Sequence, residues 1–164
     1  MDILKIYEYA LQREREGRDF FRTNAARFGH AAATGVFQKL AEEEEKHITF
    51  IEGLIAALQS RGAEGLKVGE DMDKAGFFSE RAEAELMDQT IIEAMVPDLP
   101  VLRTAYLIER DFAEFYETSS QGVEDEMAQK SLQMLARWER QHEKLFKAMH
   151  DRAFEEYASM PWGG

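Results

Sequence analysis

The chain has 164 residues, 45% of them hydrophobic and 32% charged, with a formal net charge of −12. That is the size of one domain with enough apolar residues for a core; the acidic surface disfavours nucleic acid and membrane partners, neither of which is expected, and no apolar run approaches the roughly 20 residues a membrane span needs. The absence of cysteine removes disulfides, thiol catalysis, thiolate zinc sites and cysteine-held iron centres.

The amino-terminal stretch MDILKIYEYALQRERE is interrupted by polar residues every few positions and lacks the apolar region and cleavage site of a secretory signal, which predicts a cytoplasmic protein. Proline occurs only at Pro97, Pro100 and Pro161, and apolar residues recur at three- and four-residue intervals, as in Tyr7, Ala10 and Leu11, then Phe37, Leu40 and Ala41. Four long helices are predicted, over about 2–28, 34–61, 98–120 and 125–158. The short connections FGHAAAT and QGVED make each consecutive pair an antiparallel hairpin.

Between the hairpins lies a crossover, 62–97, with Gly62, Gly65, Gly69 and Gly76 in its first half and one short helix, SERAEAELMDQTIIEAM, in its second. The expected architecture is all-α: a single domain over 1–164, an antiparallel four-helix bundle built from hairpin 2–61, crossover 62–97 and hairpin 98–158. A shift of 95 residues aligns the hairpins without a gap, pairing Glu14 with Glu109, Arg15 with Arg110, Gln38 with Gln133, Glu44 with Glu139 and His47 with His142. Two of the four histidines fall in this one register, so the bundle reads as a duplicated hairpin and not as a solenoid.

The stretch AEEEEKHI divides by direction. With Glu44 at zero and about 100° per residue, Phe37 falls at about +20°, Leu40 at about −40°, Ile48 at about +40° and Ile51 at about −20°. Glu44 is therefore in the middle of the buried stripe and His47, at about −60°, is on the same face, whereas Glu42, Glu43 and Glu45 lie about 100° or more away and read as a solvated surface. Helix four repeats the pattern with Glu139 and His142 among Leu132, Leu135, Ala136, Phe146 and Met149. Glu14 is set among Tyr7, Ala10, Leu11 and Phe21, and Glu109 among Leu102, Ala105, Tyr106, Phe112 and Tyr116. Phe20, Phe115 and Trp138 fall off the stripes and are available to neighbouring helices or a subunit contact, most simply in a homodimer. His30 and His150 read as turn and helix-end residues.

Four buried carboxylates would each carry a desolvation penalty of several kcal/mol and repel one another. No lysine or arginine sits on every stripe to answer them, Arg18 being the nearest, beside Glu14. Two divalent metal ions balance four carboxylates, and two imidazoles at i+3 complete a ligand set in which Glu and His from adjacent turns of one helix reach the same ion. Oxygen and imidazole donors suit iron or manganese, with zinc also possible.

The layout of Glu14, Glu44-x-x-His47, Glu109 and Glu139-x-x-His142 resembles the ferritin-like superfamily of di-iron carboxylate proteins. The phrases REREGRDFF, LAEEEEKH and LIERDFAEFYE are most similar to its rubrerythrin-like branch. The resemblance implies a ferritin-like bundle, two iron ions, and redox chemistry with peroxide or oxygen. It also implies that Glu44 and Glu139 bridge the ions, that Glu14 and His47 complete one position, and that Glu109 and His142 complete the other, so that all six act catalytically through the metal. Two departures stand out: the chain lacks the cysteines of a rubredoxin domain, and Phe112 stands where the family commonly has a further glutamate involved in metal movement.

The leading expectation is a di-iron oxidoreductase that takes electrons from an external donor to reduce a small oxidant. A ferroxidase serving iron storage or handling, and a metal-stabilised scaffold without turnover, are the alternatives. Tyr106 and Tyr116 face the same interior as the ligands.

Overall fold

The structure, a computed structural model, describes residues 1–60, 64–85 and 89–161, with side chains at 64–66, 83–85 and 162–164 outside that description. Gly62, the 86–88 part of the expected crossover helix and the last three residues therefore lie outside the described residues. The elements in chain order are α1 (Ile3–Ala25), α2 (Ala31–Ser60), α3 (Glu64–Ala75), α4 (Phe78–Glu85), α5 (Gln89–Met95), a 3-10 turn (Val96–Asp98), α6 (Leu99–Gly122) and α7 (Glu126–Ser159). No strand occurs among the described residues.

Local chemistry accounts for the helix starts and stops. Asp2 caps α1 by accepting from the backbone N–H groups of Leu4 and Lys5, and Asp125 caps α7 by accepting from Ala128. Pro100 falls in the first turn of α6, where its missing N–H is no loss. Gly76, with φ of 73°, ends α3 in the left-handed region that a side chain would disfavour.

α1 packs along α2 and α6 along α7, while α3 lies on α2 and α7 and the helices α4 and α5 lie mainly on α7. The crossover differs from expectation in that its glycine-bearing half is helical, while its second half is helical over Phe78–Glu85 and Gln89–Met95, as expected. Gly69 explains the difference: a Cβ there would stand 2.5 Å and 2.6 Å from the ring carbons of Phe50, so the absent side chain is what lets α3 settle onto α2.

Two apolar clusters fill the ends of the bundle. One contains Ile6, Tyr7, Phe50, Ile51, Leu132 and Trp138; the other contains Phe21, Phe37, Leu40, Leu102, Leu145 and Phe146. Between them, at the waist, each of the four long helices contributes residues that are neither apolar nor exposed.

Candidate metal centre

The antiparallel hairpins bring the glutamates to the same level. Glu14, Glu44, Glu109 and Glu139 are all 0% exposed, with His47 at 0% and His142 at 1%. Two overlapping sets of four form, Glu14–Glu44–His47–Glu139 and Glu44–Glu109–Glu139–His142, in each of which one ligand atom per residue lies within 4.8 Å of all the others. Glu44 and Glu139 belong to both sets. All six residues expected from sequence are thus brought together, while His30 accepts from Ala32 in the α1–α2 connection and His150 lies beside Asp151 on α7.

Both imidazoles turn Nδ1 toward the carboxylates. His47 Nδ1 is 2.8 Å from Glu139 Oε1, 3.3 Å from Glu14 Oε2 and 3.4 Å from Glu44 Oε2. His142 Nδ1 is 2.9 Å from Glu44 Oε1 and 3.4 Å from Glu109 Oε2. Most of these approaches lack hydrogen-bond alignment: both oxygens of Glu44, Glu109 and Glu139, together with His142 Nδ1, have no hydrogen-bond partner. Native interiors rarely leave so many buried polar atoms unsatisfied in one place. Donors that crowd together without bonding to each other have the arrangement of ligands aimed at shared cations, and the donor set of carboxylate oxygen and imidazole fits two divalent ions.

The electrostatics agree. Burial, and then the charge of Glu44, push Glu14 up to about 8. Glu139 is raised well above the ordinary range by burial and by Glu14 and Glu44, and Glu109 is raised by burial and Glu44. For Glu44 burial works the same way, yet the contact with Glu14 and the imidazoles of His47 and His142 hold it low. Burial opposes a charge on His47, but Glu139, Glu44 and Glu14 outweigh it and raise the ring well above its usual value. His142 behaves alike under Glu109, Glu43 and Glu44. Without a cation, the cluster keeps protons in its place.

Several neighbours were not legible as site residues. Glu43, expected on the surface, is only 2% exposed: its Oε2 is 2.8 Å from His142 Nε2, and its Oε1 accepts from the Ser79 backbone N–H at 3.2 Å. The physical reason is α4, which lies over that flank of α2 and removes it from water. Although burial raises Glu43, His142 and Ser79 bring it below the ordinary carboxylate value.

Trp138 is likewise covered by the crossover and is 2% exposed, its indole N–H donating to Asp73 at 2.9 Å. It stacks on His47 with ring centroids 5.2 Å apart, and Phe77 meets the same imidazole edge-on at 5.8 Å. Of the two tyrosines, Tyr116 donates its hydroxyl proton to Glu14 Oε1, whereas Tyr106 packs against His150 away from the cluster. Arg18 points outward to Glu45 at 2.9 Å and does not answer Glu14.

The family model described as Rubrerythrin matches residues 5–150. The chain belongs to the rubrerythrin family. Its all-α, ferritin-like bundle is that of a rubrerythrin-type protein, and the buried Glu/His cluster at its waist makes it a carboxylate protein able to hold a pair of metal ions. As a rubrerythrin it carries no rubredoxin domain among its 164 residues. Comparison with the curated proteins gives no match, and comparison with the solved structures gives none either. No helix among the described residues is long and apolar enough to cross a membrane.

Proposed function

We propose that this rubrerythrin-type protein is a di-iron oxidoreductase that reduces hydrogen peroxide or oxygen with electrons from an external donor. The observation that carries the reading is the waist itself: six buried side chains in two overlapping ligand sets that share Glu44 and Glu139, with the oxygens of Glu44, Glu109 and Glu139 lacking hydrogen-bond partners. Glu44 and Glu139 would span both ions, with Glu14 and His47 completing one position and Glu109 and His142 the other. Bound there, two ferrous ions would supply one electron each, and with two protons that converts one peroxide molecule to two waters.

The chain's own residues prepare the chamber. Tyr116 holds Glu14 in orientation through its hydroxyl, and Glu43 does the same for His142. Trp138, Phe77 and Phe50 build an aromatic wall on the His47 side; Phe50 and Trp138 meet edge-on at 5.2 Å, and the wall excludes water from the cluster. Phe112, where the family commonly has another glutamate, presses against Gly17 and lies under the guanidinium of Arg13 at 4.9 Å. That flank is closed by packing and offers no seventh carboxylate. These 164 residues contain no cysteine for a second iron centre, which supports the reading that the electrons come from a donor outside them.

Anaerobic loading with ferrous iron, followed by rapid mixing with peroxide and separately with oxygen, tests the proposal. The expected result is two irons bound per chain, two oxidised per peroxide, and ferric iron that stays bound and can be reduced again. Failure to bind iron, or oxidation no faster than that of free iron, overturns it. Release of the ferric product would mark a ferroxidase instead.

A further inference from the structure

The 95-residue offset that superposes the two hairpins pairs Glu43 with Trp138 and Phe21 with Tyr116. Glu43, Trp138 and Tyr116 each touch a ligand, and in each pair the two members are chemically unlike. The two halves of the waist therefore have matching ligands and mismatched surroundings.

For His142 to offer Nδ1 to a cation, its proton must sit on Nε2, and Glu43 Oε2 accepts there at 2.8 Å. Glu43 is in turn fixed by the Ser79 N–H, so the ring is locked in one tautomer and one orientation. A carboxylate on the far nitrogen also makes the ligating nitrogen a stronger donor. His47 faces the opposite situation. Its Nε2 is buried without a hydrogen-bond partner, with the indole of Trp138 stacked on the ring, so binding through Nδ1 leaves an N–H that nothing accepts. The terminal carboxylates push in the same direction: the Tyr116 hydroxyl draws electron density from Glu14, while Phe21, aligned with Tyr116 in the other copy, carries no hydroxyl and both Glu109 oxygens lack a hydrogen-bond donor.

We propose that Glu43 is a positioning residue for His142 and that it makes the two metal positions unequal, the position of Glu109 and His142 binding a divalent cation more tightly than that of Glu14 and His47. This rests on the two-ion reading above. The crossover, through Ser79, Phe77 and Asp73, is then the part of the chain that turns a duplicated ligand set into two distinct positions.

The test is an anaerobic cobalt(II) titration of the metal-free full chain, followed by calorimetry and visible absorption. Two steps separated about ten-fold or more in affinity are expected, within the 10- to 100-fold that such outer partners contribute. Glu43→Leu should weaken only the tighter step, by about 10- to 100-fold, and merge the two. Glu43→Gln keeps an oxygen acceptor at the same reach and should retain most of the separation. In the zinc-loaded protein, long-range proton–nitrogen correlation should show a protected His142 Nε2 proton that survives in Glu43→Gln and is lost in Glu43→Leu. Should the leucine variant fail to fold, the wild-type separation and the glutamine variant decide. Two equal wild-type steps, or both steps weakened alike by Glu43→Leu, overturn the proposal while leaving the two-ion reading intact. No cobalt uptake at all would remove both.

Discussion

At the end of the bundle where Phe21, Phe37 and Phe146 meet, the ring centroids are 5.3 to 5.9 Å apart and each side chain is completed by its neighbours. Further along the same helices, Glu44, Glu109 and Glu139 are just as buried, yet all six of their oxygens lack a hydrogen-bond partner. The first region is finished by the chain alone. The second buries carboxylates that the chain's own packing does not satisfy, so the fold's stability is carried by its ends and the waist works against folding.

The largest effect that would break this contrast is at the apolar end. Phe37→Ala should cost about 3–5 kcal/mol, by the same amount with and without bound metal, because Phe37 stands about two helical turns before Glu44 on α2 and packs among Phe21, Phe28 and Phe146. A chemical melt that showed the loss vanishing on metal loading would mean that the ends and the waist are one unit.

Next in size is the pH dependence of the metal-free protein. Glu14 is raised from 4.5 to about 8 and Glu139 and Glu109 are raised as well, so between these values the folded chain binds more protons than the unfolded one and stability falls as pH rises. The raised imidazoles lose stability in the same direction as pH climbs past their ordinary value. Glu43 and Glu44, held low, act in the opposite sense only below about 4.5. The melting temperature should drop by several degrees from about pH 5 to pH 8, and metal should flatten or invert the trend, since ligation requires the carboxylates deprotonated. A rise over that range would contradict the protonated cluster.

The smallest effect is the most pointed. Glu139→Leu replaces an unsatisfied buried carboxyl with a group its apolar neighbours accept, and should stabilise the metal-free protein by about 1 kcal/mol while abolishing the binding of a second ion. Destabilisation there would show that the waist is held together without metal.

The six waist residues were legible because helical periodicity fixes the centre of a stripe, and Glu44 at that centre has only one direction to point. Glu43 was not. One residue before Glu44, it leaves its own helix about 100° away, and its burial depends on α4, an element whose placement periodicity does not encode. The same holds for Trp138, whose cover is α3. That helix was hidden by its glycines, which read as loop signals until Phe50 is seen occupying the space a Cβ at Gly69 would need. Arg18, the cation nearest Glu14 in sequence, pairs with Glu45 instead, in keeping with stripes that carry no cation to answer the glutamates. Short-range pattern reveals which residues face inward, and long-range packing decides what they meet.

The joining of both hairpins into one polypeptide has a consequence for how such a centre can diversify. A bundle assembled from two copies of a single hairpin would impose every substitution twice, so that an acidic partner gained by one imidazole would be gained by the other. Covalent fusion releases positions 43 and 138 from that constraint, allowing a glutamate in one copy and a tryptophan in the other. Once fused, the two copies can drift apart in their supporting residues while the ligands themselves stay matched.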